Sequence, residues 1–184
     1  MAERQRLISQ ATSISQRSTR RPCHLRSAHS ADEAFIFNSY INSYANYQLS
    51  HGQYTAINGD VFKRAIHQQL AEILPHRDVI VACAVDDPEI AIGYAIGIDL
   101  GDAIIVDYCY VKHPLRRFGI ANYLLRDLGV TTDKTLLYTH ETRKVQYLIK
   151  HQTGHVSYVP AGSIGNMLDI KIMERKINGK DIRY

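Results

Sequence analysis

The sequence predicts a mixed α/β fold with about six to seven strands and about four helices. Two segments with helical spacing of apolar residues come first, three short apolar runs separated by turn residues follow, and a strand, helix, strand, helix order comes last. The short turns favour an antiparallel meander, and the later alternation requires a crossover to parallel pairing. At 184 residues, the chain has the size of one domain with or without a tail.

Two amphipathic helices are predicted in the first half of the chain. Ser30 and Glu33 have the spacing of a capping box, and apolar residues then recur at helical spacing over roughly 31–46. A polar loop containing glycine follows. A second helical pattern begins at Val61 and is stopped by Pro75.

The second half contains the predicted strands. The three apolar runs are 79–85, 90–98 and 103–111, divided by Asp86-Asp87-Pro88 and by Gly101-Asp102. The remaining predicted elements are a helix over about 119–128 with Gly129 as its C-cap, a strand over 135–139, a helix over about 142–151, and weaker strands near 155–159 and 168–173.

The positive charge is concentrated at the N-terminus. Residues 1–31 carry six arginines and one glutamate, a net of +5, whereas the whole chain is only +4, so the remainder is nearly neutral. We therefore expect a flexible basic arm over 1–22 and a single domain over 23–184. Nucleic-acid binding would depend on this arm alone and would weaken strongly with salt.

The composition predicts a soluble, cytoplasmic protein with no membrane partner. The arm lacks the apolar core of a secretory signal, and no apolar run is long enough to cross a bilayer. The three cysteines, Cys23, Cys83 and Cys109, form no CxxC pair, which favours a reducing compartment without a structural disulfide.

The segment from Val111 to Ala121 leads from a predicted strand directly into a predicted helix. A helix start leaves backbone N–H groups without partners and carries partial positive charge, so it can bind a phosphate. Gly119 would allow close approach, and Arg116 and Arg117 could add charge. The segment has neither the three glycines of the dinucleotide fingerprint nor the Gly-Lys-Ser/Thr of the P-loop.

The run Arg116-Arg117-Phe118-Gly119-Ile120-Ala121 resembles the Arg/Gln-x-x-Gly-x-Gly/Ala signature of the GNAT superfamily of N-acetyltransferases. Val111 and Pro114 fit the approach to that signature, and the order of elements from about 24 to 173 is also similar to that superfamily. The resemblance implies a GNAT-like splayed sheet with acyl-CoA between the strand ending at Val111 and the strand over 135–139. An ordinary strand-to-helix turn with two solvated arginines is the structural alternative.

The resemblance also implies how acyl-CoA is held. Backbone amides of the loop would bind the pyrophosphate, and the end of the preceding strand would pair with the pantetheine arm. Acetyl-CoA or another short acyl-CoA is the expected co-substrate, with no metal. The implied cofactor-binding residues are Cys109, Tyr110, Val111, Arg116, Arg117, Phe118, Gly119, Ile120 and Ala121.

Direct transfer of an acyl group requires a base for the amine and a proton for the departing thiolate. Asp107 is the candidate base, because it is the only charged residue between Asp102 and Lys112 and should share a strand face with Cys109. It could instead form a structural pair with Lys or Arg. His140 and Glu141 are a second candidate base pair, and Tyr147 is the candidate acid by loose resemblance.

Other chemistry is less well supported. His151 and His155 have the spacing of metal ligands, but Gly154 intervenes and no acidic companion follows, so we expect no zinc site. No histidine partner marks Cys109 as a nucleophile. The amine acceptor should contact the first helix, the loop after it and the last strands, where Tyr40, Tyr44, Tyr47 and Tyr54 are concentrated.

Three functional hypotheses follow. The first is an N-acyltransferase that moves an acetyl or short acyl group from acyl-CoA to an amine of a small molecule or protein. The second is a related scaffold that binds or inhibits without turnover. The third is a nucleic-acid-associated modifier that uses the basic arm. The oligomeric state, including a homodimer, stays open.

Overall fold

A six-stranded mixed sheet organises the parts of the chain that the computed structural model describes, residues 22–50, 58–140 and 155–159. Within these residues, no helix is both long and apolar enough to cross a membrane. The strands are β1 (His24–Ser27), β2 (Asp78–Cys83), β3 (Ala91–Asp99), β4 (Ala103–Val111), β5 (Thr135–Tyr138) and β6 (Val156–Tyr158), and the helices are α1 (Glu33–Ser50), α2 (Gly59–Ile73) and α3 (Ile120–Asp127).

The strands lie in chain order across the sheet. β1 to β4 pair antiparallel, whereas β4, β5 and β6 pair parallel. The predicted α/β class, the meander and the change to parallel pairing are therefore confirmed. The helix predicted over 142–151 and the strand predicted over 168–173 lie outside the described residues.

Two apolar layers cover the two faces of the sheet. Side chains from α1 and α2 pack on one face with Val81, Tyr94 and Tyr108. Side chains from α3 pack on the other face with Ala82, Ala95 and others from the alternate strand positions. This alternation is expected for strands buried on both faces, where successive side chains point to opposite sides.

The start of the folded region differs from the prediction. β1 was not predicted, because its four residues are mostly polar and it is an edge strand. Asp32, rather than Glu33, closes the turn before α1: its carboxylate accepts from the backbone N–H of His29 at 3.0 Å. Arg26 donates to both oxygens of Asp32, at 2.5 and 3.0 Å, so this arginine belongs to the folded domain.

α2 begins two residues earlier than predicted. The side chain of Asn58 accepts hydrogen bonds from the backbone N–H groups of Asp60 and Val61, at 2.9 and 3.4 Å. Asparagine is a favoured N-cap because its side-chain oxygen satisfies such groups. Asn58, which the sequence places in the polar loop between the two predicted helices, is therefore the N-cap of α2.

A β-bulge interrupts the pairing of β3 with β4. Tyr108 pairs with Ile96 and Val106 pairs with Gly97, so Asp107 is the extra residue. Val106 and Cys109 both pack toward α3, although they are three positions apart in sequence. On one face of a regular strand, residues are separated by an even number of positions. Because the bulge adds Asp107 to the strand, simple alternation no longer assigns the face of this residue relative to Cys109.

Candidate functional site

A cavity of about 540 Å³ opens where β4 and β5 separate. Pairing between these strands ends at Val106 and Tyr138, although β4 itself continues to Val111. The end of β4, α1 and the loop before α3 form the walls, and the volume is in the range of small-molecule sites. The lining residues are Ser43, Tyr47, Tyr108, Cys109, Tyr110, Val111, Leu115, Arg116, Arg117, Gly119, Ile120, Ala121 and Asn122.

Eight of the nine predicted cofactor-binding residues lie in this lining. The exception is Phe118, whose side chain is 67% exposed outside the cavity. Ile120 is almost fully buried and also belongs to the core cluster that contains the buried residues of α3. The structure therefore brings the loop and the end of β4 together around one space.

The loop before α3 has the backbone shape of an anion site. Gly119 caps the helix with φ of +82°, and Arg117 has φ of +72°. Left-handed residues in a turn direct successive N–H groups toward a common point, where an anion can bind. The carbonyl oxygen of Gly119 accepts from the N–H groups of Asn122 and Tyr123, whereas the first N–H groups of a helix have no partner within it.

The space over Gly119 is open. A β-carbon placed there would meet no atom within 4 Å, so packing inside the protein does not demand glycine at this position. The positive φ favours glycine, and the missing side chain leaves the helix start accessible from the cavity. This is the arrangement expected of a phosphate cradle.

Arg116 is held at the rim of the cavity by two contacts. Its Nε donates to the carbonyl oxygen of Val111 at 3.0 Å, and its guanidinium lies 6.0 Å from the ring centre of Tyr110. The side chain is exposed on its outer side. A fixed cation thus stands beside the cradle, where it would attract an anionic ligand.

Two cavity residues on the α1 side were not predicted. The hydroxyl groups of Ser43 and Tyr108 lie 2.8 Å apart. Ser43 also donates to the carbonyl of Ser39, so the Tyr108 phenol is the donor in this pair. Burial raises the pKa of Tyr108, which keeps the phenol protonated. The serine carries no sequence signal, because its role depends on a strand 65 residues away.

Asp107 lies at the point where β4 and β5 separate, and it is buried. Arg77, which precedes β2, forms an ion pair with one carboxylate oxygen, and both side chains are at most 2% exposed. Thr139 lies 3.1 Å from the other oxygen. The arrangement is the structural pair that the sequence left open as an alternative to a free base.

The remaining predicted residues fall in different places. Glu141, Tyr147, His151 and Tyr54 lie outside the described residues, so their predicted roles are not tested. Tyr40 is 1% exposed and belongs to the core, which is a correction to its expected contact with the acceptor. Tyr47 lines the cavity, and Tyr44 packs edge-on against His140 with ring centres 4.7 Å apart.

A second, more open recess of about 530 Å³ adjoins the cavity. The two spaces share Ser43, Tyr110 and Arg116. Asn38 and Asn42, one turn apart on α1, supply exposed amide groups to this recess. A second ligand could therefore reach the cavity along α1.

The described fold is similar to that of several solved structures. No protein-family model matches the chain, and no curated protein is similar enough to count as a relative. Solved structures similar to it include a provisionally named acetyl transferase from Pyrococcus furiosus, with 15% identity, a TM-score of 0.49, and coverage of 74% of this chain and 95% of that chain.

Two further solved structures have comparable scores. The ribosomal-protein-alanine N-acetyltransferase from Brucella melitensis has 21% identity and a TM-score of 0.46, with 76% of this chain and 97% of that chain covered. A provisionally named GNAT-family acetyltransferase from Staphylococcus aureus has 17% identity and a TM-score of 0.43, with 57% and 87% covered. At these scores the similarities carry no functional conclusion.

Proposed function

We propose that this protein is an N-acyltransferase of the GNAT type that moves an acetyl or short acyl group from acyl-CoA to an amine. The observation that carries the proposal is the cavity that joins the glycine-capped start of α3 to the last residues of β4. One end offers backbone N–H groups and an arginine for phosphates. The other offers a strand edge for an extended, amide-containing arm.

The residues present fit such a ligand. Backbone N–H groups near Gly119 and the cation of Arg116 suit a pyrophosphate. The polar edge of β4 suits the pantetheine amides, since an extended chain can add to a sheet edge through main-chain hydrogen bonds. The predicted pairing at Cys109 to Val111 lies along this edge.

Bound acyl-CoA would supply an activated carbonyl, whose C–S bond breaks as the C–N bond to the amine forms. The protein must then hold the amine, accept one of its protons and exclude water. We propose that the amine enters through the recess beside Asn38 and Asn42, which meets the cavity at Ser43. Tyr108 lies on the cavity wall at this point, where its protonated phenol donates to Ser43.

Asp107 and Glu141 are the two residues proposed to accept the proton of the amine. Asp107 could act only by leaving Arg77, because one of its oxygens is committed to that ion pair. Glu141 is the other predicted base and Tyr147 the predicted acid. We propose to compare Asp107→Asn with Glu141→Gln in the transfer assay below.

The transfer assay uses the purified chain, acetyl-CoA and a panel of amines, with release of the CoA thiol and the mass of each product as readouts. We expect transfer to at least one amine. In a Gly119→Glu variant the rate should fall at least about tenfold, a loss of roughly 1.4 kcal/mol of stabilisation, because the new carboxylate occupies the phosphate cradle.

Gly101→Glu is the matched control. Gly101 also has a positive φ and no atom within 4 Å of an added β-carbon, but it lies in the turn before β4, at the far end of that strand. Both variants therefore carry the same backbone strain, about 1–2 kcal/mol, and only one alters the cavity. Equal rates for the two variants would contradict the site.

The ion pair of Asp107 favours one second candidate, a scaffold that binds acyl-CoA without turnover. This candidate predicts binding that is lost in Gly119→Glu and no product with any amine. Turnover by the unmodified protein would remove it.

A further inference from the structure

A continuous chain of hydrogen bonds crosses the protein where β4 and β5 separate. The hydroxyl of Tyr40 lies 3.0 Å from Nε2 of His140, and Nδ1 of His140 lies 3.1 Å from the backbone oxygen of Asp107. Nδ1 also lies 2.7 Å from the hydroxyl of Thr139, which bonds to the carboxylate of Asp107. Arg77 completes the chain. All five side chains are buried, with exposures of 5% or less.

The hydrogen-bond acceptors around His140 define its tautomer. A backbone carbonyl can only accept, so Nδ1 must carry the proton that bonds to Asp107. In a neutral ring Nε2 is then an acceptor, and Tyr40 donates to it. The opposite tautomer would set Nδ1 and the Asp107 oxygen face to face as two acceptors. The neutral Nδ1–H ring therefore satisfies every member.

The hydrogen-bond chain links two walls of the cavity, α1 and β4, to the end of β5. Asp107 is the bulge residue of β4, and it follows the last residue of β4 that pairs with β5. His140 lies two residues after β5 and supplies its ring N–H to the Asp107 carbonyl, as a strand neighbour would. Tyr40 belongs to α1, which places Ser43 and Tyr47 in the cavity wall within the next two turns.

We propose that His140 is a positioning residue, whose neutral imidazole holds the bulge of β4 against α1 at the separation that the ligand cavity requires. This inference rests on the proposed function, because the ligand that reports on the cavity is CoA. His140 touches no part of the cavity itself and acts through Asp107 and Tyr40.

Protonation of the ring would reverse the hydrogen bond between His140 and Tyr40. Nε2 would become a donor facing the Tyr40 hydroxyl, and that phenol would lose its acceptor. Among the described residues, the titratable groups that face the ring are Tyr40 and Tyr44 from α1 and Asp107 and Tyr108 from β4, with Arg77 behind Asp107.

Burial lowers the pKa of His140 below its usual value of 6.5, and the nearby Asp107 opposes this shift only in part. The direction of the pH dependence of stability follows from the difference in proton affinity between the folded and unfolded states. The folded state binds the proton more weakly than the unfolded state, so the neutral ring is fully effective above about pH 6.5 and its contribution is lost as the pH falls through and below that value. CoA affinity should fall only when the pH is low enough to protonate the ring of the folded protein, which is below 6.5.

The test is calorimetric titration with desulfo-CoA at pH 7.5 and pH 5.5, using the unmodified protein, Tyr40→Phe and His140→Asn. His140→Asn keeps a side-chain N–H for the Asp107 carbonyl but cannot titrate, and Tyr40→Phe removes one oxygen atom. His24→Gln is the control, because His24 is exposed on β1 at the opposite edge of the sheet. Thermal unfolding verifies that each variant is folded.

We expect the unmodified protein and His24→Gln to lose affinity together at the lower pH. Tyr40→Phe should bind several-fold more weakly at pH 7.5, up to about tenfold, or one factor of ten in Kd. His140→Asn should show a smaller change between the two pH values than the control. The control also removes the effect of titration of CoA itself.

Three results would overturn the inference. If Tyr40→Phe and His140→Asn match the control in affinity and pH dependence, His140 does not position the cavity, while the proposed function stands. Nitrogen-15 NMR of the histidine rings gives a measurement independent of CoA, and a His140 ring protonated at Nε2 would also overturn it. Failure of the unmodified protein to bind desulfo-CoA would reject the proposed function together with this inference.

Discussion

Arg77 is a buried cation that forms an ion pair with Asp107. Its guanidinium and the carboxylate of Asp107 are almost fully buried, so each would be costly alone. Thr139 adds a hydrogen bond to the same carboxylate, which satisfies the second oxygen. The positive charge of Arg77 and the negative charge of Asp107 neutralise each other, although the two residues are 30 positions apart in sequence.

Replacing Arg77 with Met should therefore destabilise the fold strongly. The change leaves Asp107 buried without a counter-charge, and breaking such a pair typically costs about 3–5 kcal/mol. Urea unfolding would measure it. Lys134→Met is the matched control, because Lys134 pairs with Asp99 at 2.5 Å in a partly exposed position and exposed pairs contribute about 0–1 kcal/mol. Equal losses would contradict the assigned role of the buried pair.

At the scale of the element, the bulge in β4 depends on the glycine opposite to it. A β-carbon on Gly97 would lie 2.2 Å from the backbone oxygen of Ile105 and 2.9 Å from a methyl carbon of Leu128. The oxygen belongs to β4 itself and cannot move without shifting the strand. Close approach of the two strands at the bulge therefore requires glycine.

A Gly97→Ala variant should lose about 1–3 kcal/mol of unfolding free energy, the usual range for an added methyl group in a packed interior. Thermal or urea unfolding would measure the loss. Gly59→Ala is the matched control, since an added β-carbon there meets nothing within 4 Å at the first residue of α2. A Gly97→Ala protein as stable as the control would show that β3 and β4 can separate without cost.

Elements were predictable from sequence where the pattern was local. The bounds of β4 matched the prediction, because an apolar run between turn residues needs no distant partner to be recognised. β1 was missed because its polar residues become a strand only by pairing with β2. The bulge was missed because it depends on the partner strand.

At the scale of the whole molecule, the candidate site was predictable in part. The loop around Gly119 was found because its shape is encoded in one continuous segment with a glycine at the positive-φ position. Arg77, Thr139 and Ser43 were not found, because each reaches the site only through tertiary packing. The roles of Glu141 and Tyr147 and of the basic arm over 1–22 stay predictions.

The central claim is that the cavity between the start of α3 and the end of β4 binds acyl-CoA. Calorimetric titration of the purified protein with acetyl-CoA and with desulfo-CoA tests it most directly, alongside Gly119→Glu and its control Gly101→Glu. The account predicts micromolar binding by the unmodified protein and the control, with Kd of order 1–100 μM, and loss of binding in Gly119→Glu. Absence of binding by the unmodified protein, or equal binding by both variants, would contradict it.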